Sequence, residues 1–290
     1  MPNSSSKVAE KINDQYFTPV ETAEWCLQQL VELGWNLSGV ALEPCVGDGS
    51  FVKASRSQKL ELSWITNDLF PQPGTEPDTQ VDFRTLDPSP RPDFIITNPP
   101  FGKSNALARH GLAHCLRICD RVAMLLPRGA RRMGFKDAQP PNAHLVLDVD
   151  LPSEKFELPD GTVKEVRTCF QAWEVRDGVR PKIRESLDLR RDFFDFIDGA
   201  KEDGTFGTQF QVCRWGVMNR IRDEIKTSGA WLSVKTRGNM DPQTLKKLIA
   251  QVDVSEYELL STSVPAFDVP IWHHRINEIA VREGFLEPIG

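Results

Sequence analysis

Apolar residues recur at helical spacing from Val20 through Ala23, Leu27, Leu30 and Val31 and stop at Gly34, which predicts a helix over 20–33. The run Gly39-Val-Ala-Leu-Glu43 reads as a buried strand, and the turn Gly47-Asp-Gly-Ser50 leads into a helix predicted over 51–59. The alternation continues with strands over 62–66, 79–83 (weaker) and 93–97, a helix over 105–118, and strands over 121–126, 144–149 and 168–175. Strands alternating with helices predict an α/β fold on a mostly parallel sheet of about seven strands, the last two closing it as an antiparallel edge across the polar stretch 152–166. Past residue 176 the pattern becomes charged and helical, with helices predicted over 184–197, 217–225 and 242–252 and short strands over 209–215 and 231–234.

These changes divide the chain into a polar arm over 1–14, expected to be flexible, a main domain over 15–178 and a small α+β domain over 179–290 that could serve target recognition. The 290 residues give room for that arrangement, and 40% hydrophobic with 26% charged residues excludes a wholly disordered or fibrous chain. No stretch approaches about 18 apolar residues, so no membrane span is expected, and the polar start MPNSSSKVAEK predicts a cytoplasmic protein. Six scattered cysteines with no CxxC pair fit reduced thiols better than disulfides or a zinc ribbon.

Candidate chemistry begins at Glu43-Pro-Cys-Val-Gly-Asp-Gly49, after a strand and before a helix, where nucleotide-like ligands sit. A phosphate loop would need Gly-Lys-Ser/Thr, and a dinucleotide turn a third glycine where Val52 stands. Glu43 and Asp48 would also repel phosphate. Acidic groups beside glycines suit a ligand bearing an ammonium or sulfonium, and S-adenosylmethionine is that ligand. Asp68, followed by Leu69, lies about 20 residues on, where a carboxylate accepts ribose hydroxyls, and Asp82 with Phe83 is placed for an adenine.

The second motif is Asn98-Pro-Pro-Phe101, directly after the buried strand at 93–97. Two prolines stiffen the turn and remove two N–H donors, leaving an acceptor-rich ledge. The Asn98 side-chain oxygen and the Pro99 carbonyl can accept both hydrogens of an –NH2 group, Pro100 fixes the ledge, and Phe101 offers a stacking face. Two such bonds pull a planar amine nitrogen towards a tetrahedral shape, so that its lone pair can attack a methyl carbon. Holding the reactants in line can supply about 7–11 kcal/mol of the barrier.

Phe17-Thr18-Pro19, the glycine turn and Asn98 to Phe101, in that order, resemble the amino-group DNA methyltransferases, and the order is similar to the gamma arrangement of the N6-adenine enzymes. The likeness spans roughly residues 15–175. It implies a Rossmann-like class I methyltransferase fold with a seven-stranded sheet, S-adenosylmethionine as cofactor, and methyl transfer to adenine N6 of a base flipped out of DNA, for which Phe101 would be the stacking partner. It further implies that Phe17, Thr18 and Pro19 border the methionine part. Glu43, Pro44, Gly47, Asp48, Gly49, Asp68, Leu69, Asp82 and Phe83 would line the rest of the cofactor site. RNA adenine and protein glutamine present the same planar –NH2, and a non-catalytic nucleic-acid-binding protein could retain the fold.

The net charge of −6 does not favour a nucleic-acid partner, yet between Lys103 and Lys136 eight cations face Asp120 alone. Lys103, Arg128, Arg131 and Arg132 are the cations expected on the phosphate backbone. Pro44-Cys45 also spells the dipeptide of covalent cytosine methyltransferases, but in the wrong place, after the first strand. No metal site is expected: the pairs His110/His114 and Cys115/Cys119 point to different helix faces. His273 and His274 carry no assignment. DNA is the expected partner, and the sequence leaves open a restriction nuclease or a second copy of the chain.

Overall fold

The computed structural model describes residues 15–198, 209–213, 219–223, 225, 230–255 and 268–289. The arm predicted over 1–14 lies outside them, as do 214 and 215 at the end of the strand predicted over 209–215. Of the described residues, 15–130 and 135–180 form one compact unit, and 131–134 with those from 181 onward a second.

In the first unit α1 (Val20–Glu32) buries Ala23, Cys26, Leu27 and Leu30, the positions that the 3.6-residue period puts on one face. Gly34, at φ +91°, ends it in the left-handed region. β1 (Gly39–Glu43) leads through the glycine turn into α2 (Ser50–Ser57), and β2 (Leu62–Thr66) pairs parallel with β1. β3 (Phe94–Thr97) is buried throughout, as a central parallel strand should be. α3 (Ala106–Ile118), β4 (Arg121–Pro127), the short α4 (Met133–Lys136), β5 (Ala143–Asp150), the hairpin strands β6 (Lys155–Glu157) and β7 (Val163–Glu165), and β8 (Thr168–Val175) follow.

The central sheet runs β2-β1-β3-β4-β8-β5, parallel from β2 to β4 and antiparallel over β8 and β5. Because strand side chains alternate, Phe94 and Ile96 join α1 and α2 in one core cluster, while Ile95 joins Leu112, Cys115 and Leu116 of α3 in another. The result is a helix–sheet–helix sandwich. Truncating a wholly buried side chain such as Phe170 to alanine would cost about 3–5 kcal/mol.

Among the described residues the sheet has six strands, not seven. The strand expected over 79–83 is reduced to a single bridge between Asn67 and Thr79. Side chains replace the ladder there: Asp78 Oδ2 accepts from the Thr66 N–H and hydroxyl, and Asn67 Oδ1 accepts from the Val81 N–H. The polar stretch 152–166, expected as a turn region, contains the β6–β7 hairpin anchored by the buried Phe156.

The second unit is an antiparallel sheet, β11-β10-β12-β9, whose strands are β9 (Phe194–Asp198), β10 (Phe210–Cys213), β11 (Ile221–Arg222) and β12 (Trp231–Thr236). It shares a core with α5 (Pro242–Ala250) and α6 (Val269–Arg282), in which Phe194, Phe210, Val234, Leu248 and Trp272 are buried. The helix predicted over 184–197 is instead a 3-10 turn, Ile183–Ser186, followed by β9, because Phe194 and Phe196 alternate with polar residues. Within the segment 217–225, Ile221 and Arg222 pair with β10 as a strand, not a helix. Among the described residues no helix is long and apolar enough to cross a membrane.

Candidate active site

The glycine turn is built by positive backbone angles that only glycine adopts cheaply, φ +54° at Gly47 and +83° at Gly49. The Gly47 N–H donates to Asp68 Oδ2 at 2.8 Å, and the Phe70 N–H donates to Asp68 Oδ1 at 2.8 Å, so one carboxylate ties the turn to the loop after β2. Wholly buried Asn67 knits a third segment to these, donating to the carbonyls of Pro44 and Val81. Neither Asn67 nor its role was expected from the sequence, although a polar residue at the end of a β-strand in an α/β sheet is a standing hint.

β3 delivers Asn98 to the same end of the sheet. Its Nδ2 donates to the Tyr16 carbonyl at 3.0 Å and to Thr18 Oγ1 at 3.1 Å. Both amide hydrogens are thereby taken, and Oδ1 is what the side chain has left to offer. The segment that receives them is fixed from the other side: Phe17 exchanges two backbone hydrogen bonds with Glu157 of β6, and Ser50 Oγ lies 2.5 Å from the Thr18 carbonyl.

Between these parts opens a cleft of about 740 Å³, within the range of about 300–1,000 Å³ common for small-molecule sites. Phe17, Pro44, Gly47, Asp68 and Leu69 border it, as do Asp82, Phe83, Asn98, Pro100 and Lys103. Leu69, Phe70 and Val81 stand 44%, 40% and 42% exposed, large apolar groups on the wall of a cleft. Phe83 is buried with its ring against Gly111 of α3, where a Cβ would come within 1.9 Å of the ring.

Several expected site residues stand elsewhere. Thr18 is buried behind the wall, Pro19 sits at the start of α1, and Glu43, Gly49 and Pro99 do not border the cleft. Glu43 is 1% exposed, and burial pushes its carboxyl well above the usual carboxylate range, towards the neutral form. Asp48 pairs with Lys53 at 3.0 Å and lies 2.6 Å from Ser50 Oγ. The carboxylates bordering the cleft are therefore those of Asp68 and Asp82, the latter paired with Arg84, and not those of Glu43 and Asp48. Asp82 is held below its ordinary value by hydrogen bonds from Arg84, a cleft residue the sequence did not suggest. Phe101 packs against the core cluster on the α3 side and is not on the cleft wall, so the stacking face expected from it is not presented there.

Of the four cations expected on phosphate, Lys103 alone borders the cleft. Arg128 is engaged by Asp150 and Glu154, with 13% of its side chain exposed. Arg131 and Arg132 fall in the second unit. His114 Nε2 donates to the Leu86 carbonyl at 2.7 Å and Cys115 is buried in the core. Among the described residues no group of three or more His, Cys, Asp or Glu side chains could hold a metal ion.

No protein-family model matches the sequence, and no curated protein matches it. Solved structures do resemble it. One described as a candidate RNA methyltransferase of Pyrococcus horikoshii superposes with TM-score 0.43 at 18% identity, covering 56% of this chain and 88% of that one. A candidate class I S-adenosylmethionine-dependent methyltransferase of Listeria monocytogenes gives TM-score 0.42 at 14% identity, over 58% of this chain and 64% of that one. The type I restriction-modification methyltransferase subunit of Streptococcus thermophilus gives 0.40 at 13%, over 56% of this chain and 45% of that one. Similarity at this level carries no assignment, and what the site does is decided by its own residues.

Proposed function

We propose that this chain is an S-adenosylmethionine-dependent methyltransferase that modifies a planar primary amine, with adenine N6 in DNA as its substrate. The observation that carries the reading is the orientation of Asn98. A side chain whose –NH2 is consumed by Tyr16 and Thr18 has an acceptor oxygen to spend on the hydrogens of an incoming amine, at the edge of a cleft that holds two carboxylates.

The residues present fit the cofactor. Asp68 is assigned to the ribose, Asp82 to the adenine amine, Leu69, Val81 and Phe83 to the apolar faces of the ring, and Phe17 with Gly47 to the methionine end. Bound there, the cofactor supplies an electrophilic methyl group on a cationic sulfur. Asn98 Oδ1 holds the target amine by one of its hydrogens and turns its lone pair towards the methyl carbon, and no strong base is needed while positive charge disperses. Lys103 is the cation assigned to a phosphate of the substrate.

One observation favours a second substrate class. With Lys103 as the one expected cation bordering the cleft, in a chain of net negative charge, a glutamine side chain, which carries no phosphate, fits the same ledge. Calorimetry with S-adenosylhomocysteine, followed by labelled methyl transfer to single-stranded and duplex DNA, tests the first reading. Binding with DNA transfer that Asn98→Ala abolishes supports it, and absence of cofactor binding refutes it.

A further inference from the structure

We propose that Thr18 is a positioning residue for Asn98 and not a ligand of the cofactor. This rests on the methyltransferase reading for its catalytic consequence, while its geometric part stands alone. Thr18 is buried and does not border the cleft, so its hydroxyl has no path to a bound cofactor. That hydroxyl instead accepts a hydrogen of Asn98 Nδ2 at 3.1 Å. The main chain of the same residue is also approached, its carbonyl lying 2.5 Å from Ser50 Oγ on the first residue of α2, whose single hydrogen is shared with Asp48 Oδ1 at 2.6 Å. A short line of contacts thus runs from the glycine turn, through Ser50 and Thr18, to the side chain that meets the substrate.

The two acceptors do different work. The Tyr16 carbonyl can only accept, so it decides that nitrogen and not oxygen turns inward. A hydroxyl would tolerate either amide orientation, so Thr18 contributes angle and rigidity: with one partner alone, the amide plane can rotate about its remaining bond, and Oδ1 swings away from where an amine must be held. Placement errors of that size are costly in a reaction that depends on in-line geometry. Ser50 lies one step further back and touches neither substrate nor cofactor in this arrangement.

Thr18→Val keeps shape and removes the acceptor, Thr18→Ser restores it, and Ser50→Ala loosens the anchor without altering Thr18. Three readouts apply to each full-length variant: kcat on whichever pool wild type methylates, Kd for S-adenosylhomocysteine, and the side-chain 15N–1H signals of Asn98. Thr18→Val should lower kcat about tenfold, keep Kd within about twofold, and shift the Asn98 signals with faster hydrogen exchange at one of the two positions. Thr18→Ser should recover activity and signals, and Ser50→Ala should move both in the same direction by less. Loss of cofactor affinity in step with kcat, or Asn98 signals that ignore Thr18→Val, would overturn the proposal. Should wild type methylate nothing while Thr18→Val still moves the Asn98 signals, the positioning contact is upheld and the methyltransferase reading is what fails.

Discussion

Asn98 reaches back across 82 positions to donate its side-chain N–H to the main-chain carbonyl of Tyr16. A carbonyl has no hydrogen to give, so the bond exists for only one of the two amide orientations. The corner after β3 is therefore an acceptor aimed at a donor-bearing group, and its direction is set by a segment near the start of the described chain.

That dependence predicts the outcome of a nearly isosteric change. Asn98→Asp would set a carboxylate oxygen against the Tyr16 carbonyl, two acceptors with no hydrogen between them, and the side chain would rotate out of place. Methyl transfer should fall by about a hundredfold or more, while the Kd for S-adenosylhomocysteine stays near wild type. Retention of full activity by Asn98→Asp in steady-state assays would contradict the orientation argument.

Asp68 holds the turn as well as facing the cleft, since Gly47 and Phe70 both donate backbone N–H groups to it. Asp68→Ala leaves both donors without their carboxylate, at about 1–3 kcal/mol for hydrogen bonds of this charged type. Calorimetry should show at least tenfold weaker S-adenosylhomocysteine binding, accompanied by a lower melting temperature. Asp68→Asn, which keeps one acceptor oxygen, should fall between. Unchanged affinity in Asp68→Ala would place the ribose contact on another residue.

Glu43 gives a pH dependence with a definite sign. Burial raises its folded-state pKa, so between the ordinary glutamate range, about 4.3, and that raised value the folded chain holds a proton the unfolded chain has released. Stability contributed by the neutral acid is full at low pH and declines as pH rises, by at most about 1.4 kcal/mol per pH unit. Glu43→Gln keeps an acceptor for the Cys45 N–H and cannot ionise. Denaturant titrations should find the variant's advantage over wild type growing as the pH rises above about 5. A constant difference would mean that Glu43 is not buried as a neutral acid.

Gly111 and Phe83 form the most demanding contact of the cleft's far wall. A methyl group at 111 overlaps the Phe83 ring, so Gly111→Ala must push that ring towards the site. Overpacking of this kind costs about 1–3 kcal/mol. The expected result is a lower melting temperature together with weaker S-adenosylhomocysteine binding, whereas normal affinity would remove Phe83 from the adenine wall.

The parts of the fold legible in the sequence were those written in local periodicity. Val20 to Leu30 spell one buried helix face, Asp93 to Thr97 a buried strand, and Gly47 with Gly49 a turn that needs left-handed backbone. The failures have physical causes. At 79–83 the side chains of Asn67 and Asp78 substitute for a strand ladder, a trade invisible to alternation patterns. At 194–196 two phenylalanines two apart signal a strand more strongly than the surrounding charges signal a helix. α6 carries its own signal, Trp272, Ile276, Ile279 and Ala280 at helical spacing behind Pro270, diluted by the charged residues between them.

In the site, residue types were readable and directions were not. Asn98, Asp68 and Asp82 were marked by their places at strand ends, and the structure brings all three to one cleft. Which acids face that cleft depended on long-range burial: Glu43 is sealed under the turn and Asp48 is taken by Lys53. Phe101 could face cleft or core with equal ease on sequence grounds, and packing against the core cluster on the α3 side decided for the core. Arg128 had no sequence-adjacent acid to betray it, because Asp150 and Glu154 arrive from β5 and the loop after it.

The most direct test of the account is incubation of the full chain with methyl-labelled S-adenosylmethionine and separate DNA, RNA and protein pools, followed by hydrolysis and identification of the labelled product. The account predicts N6-methyladenine from DNA, lost in Asn98→Ala. No label in any amino group of any pool, from protein that binds the cofactor, would contradict it.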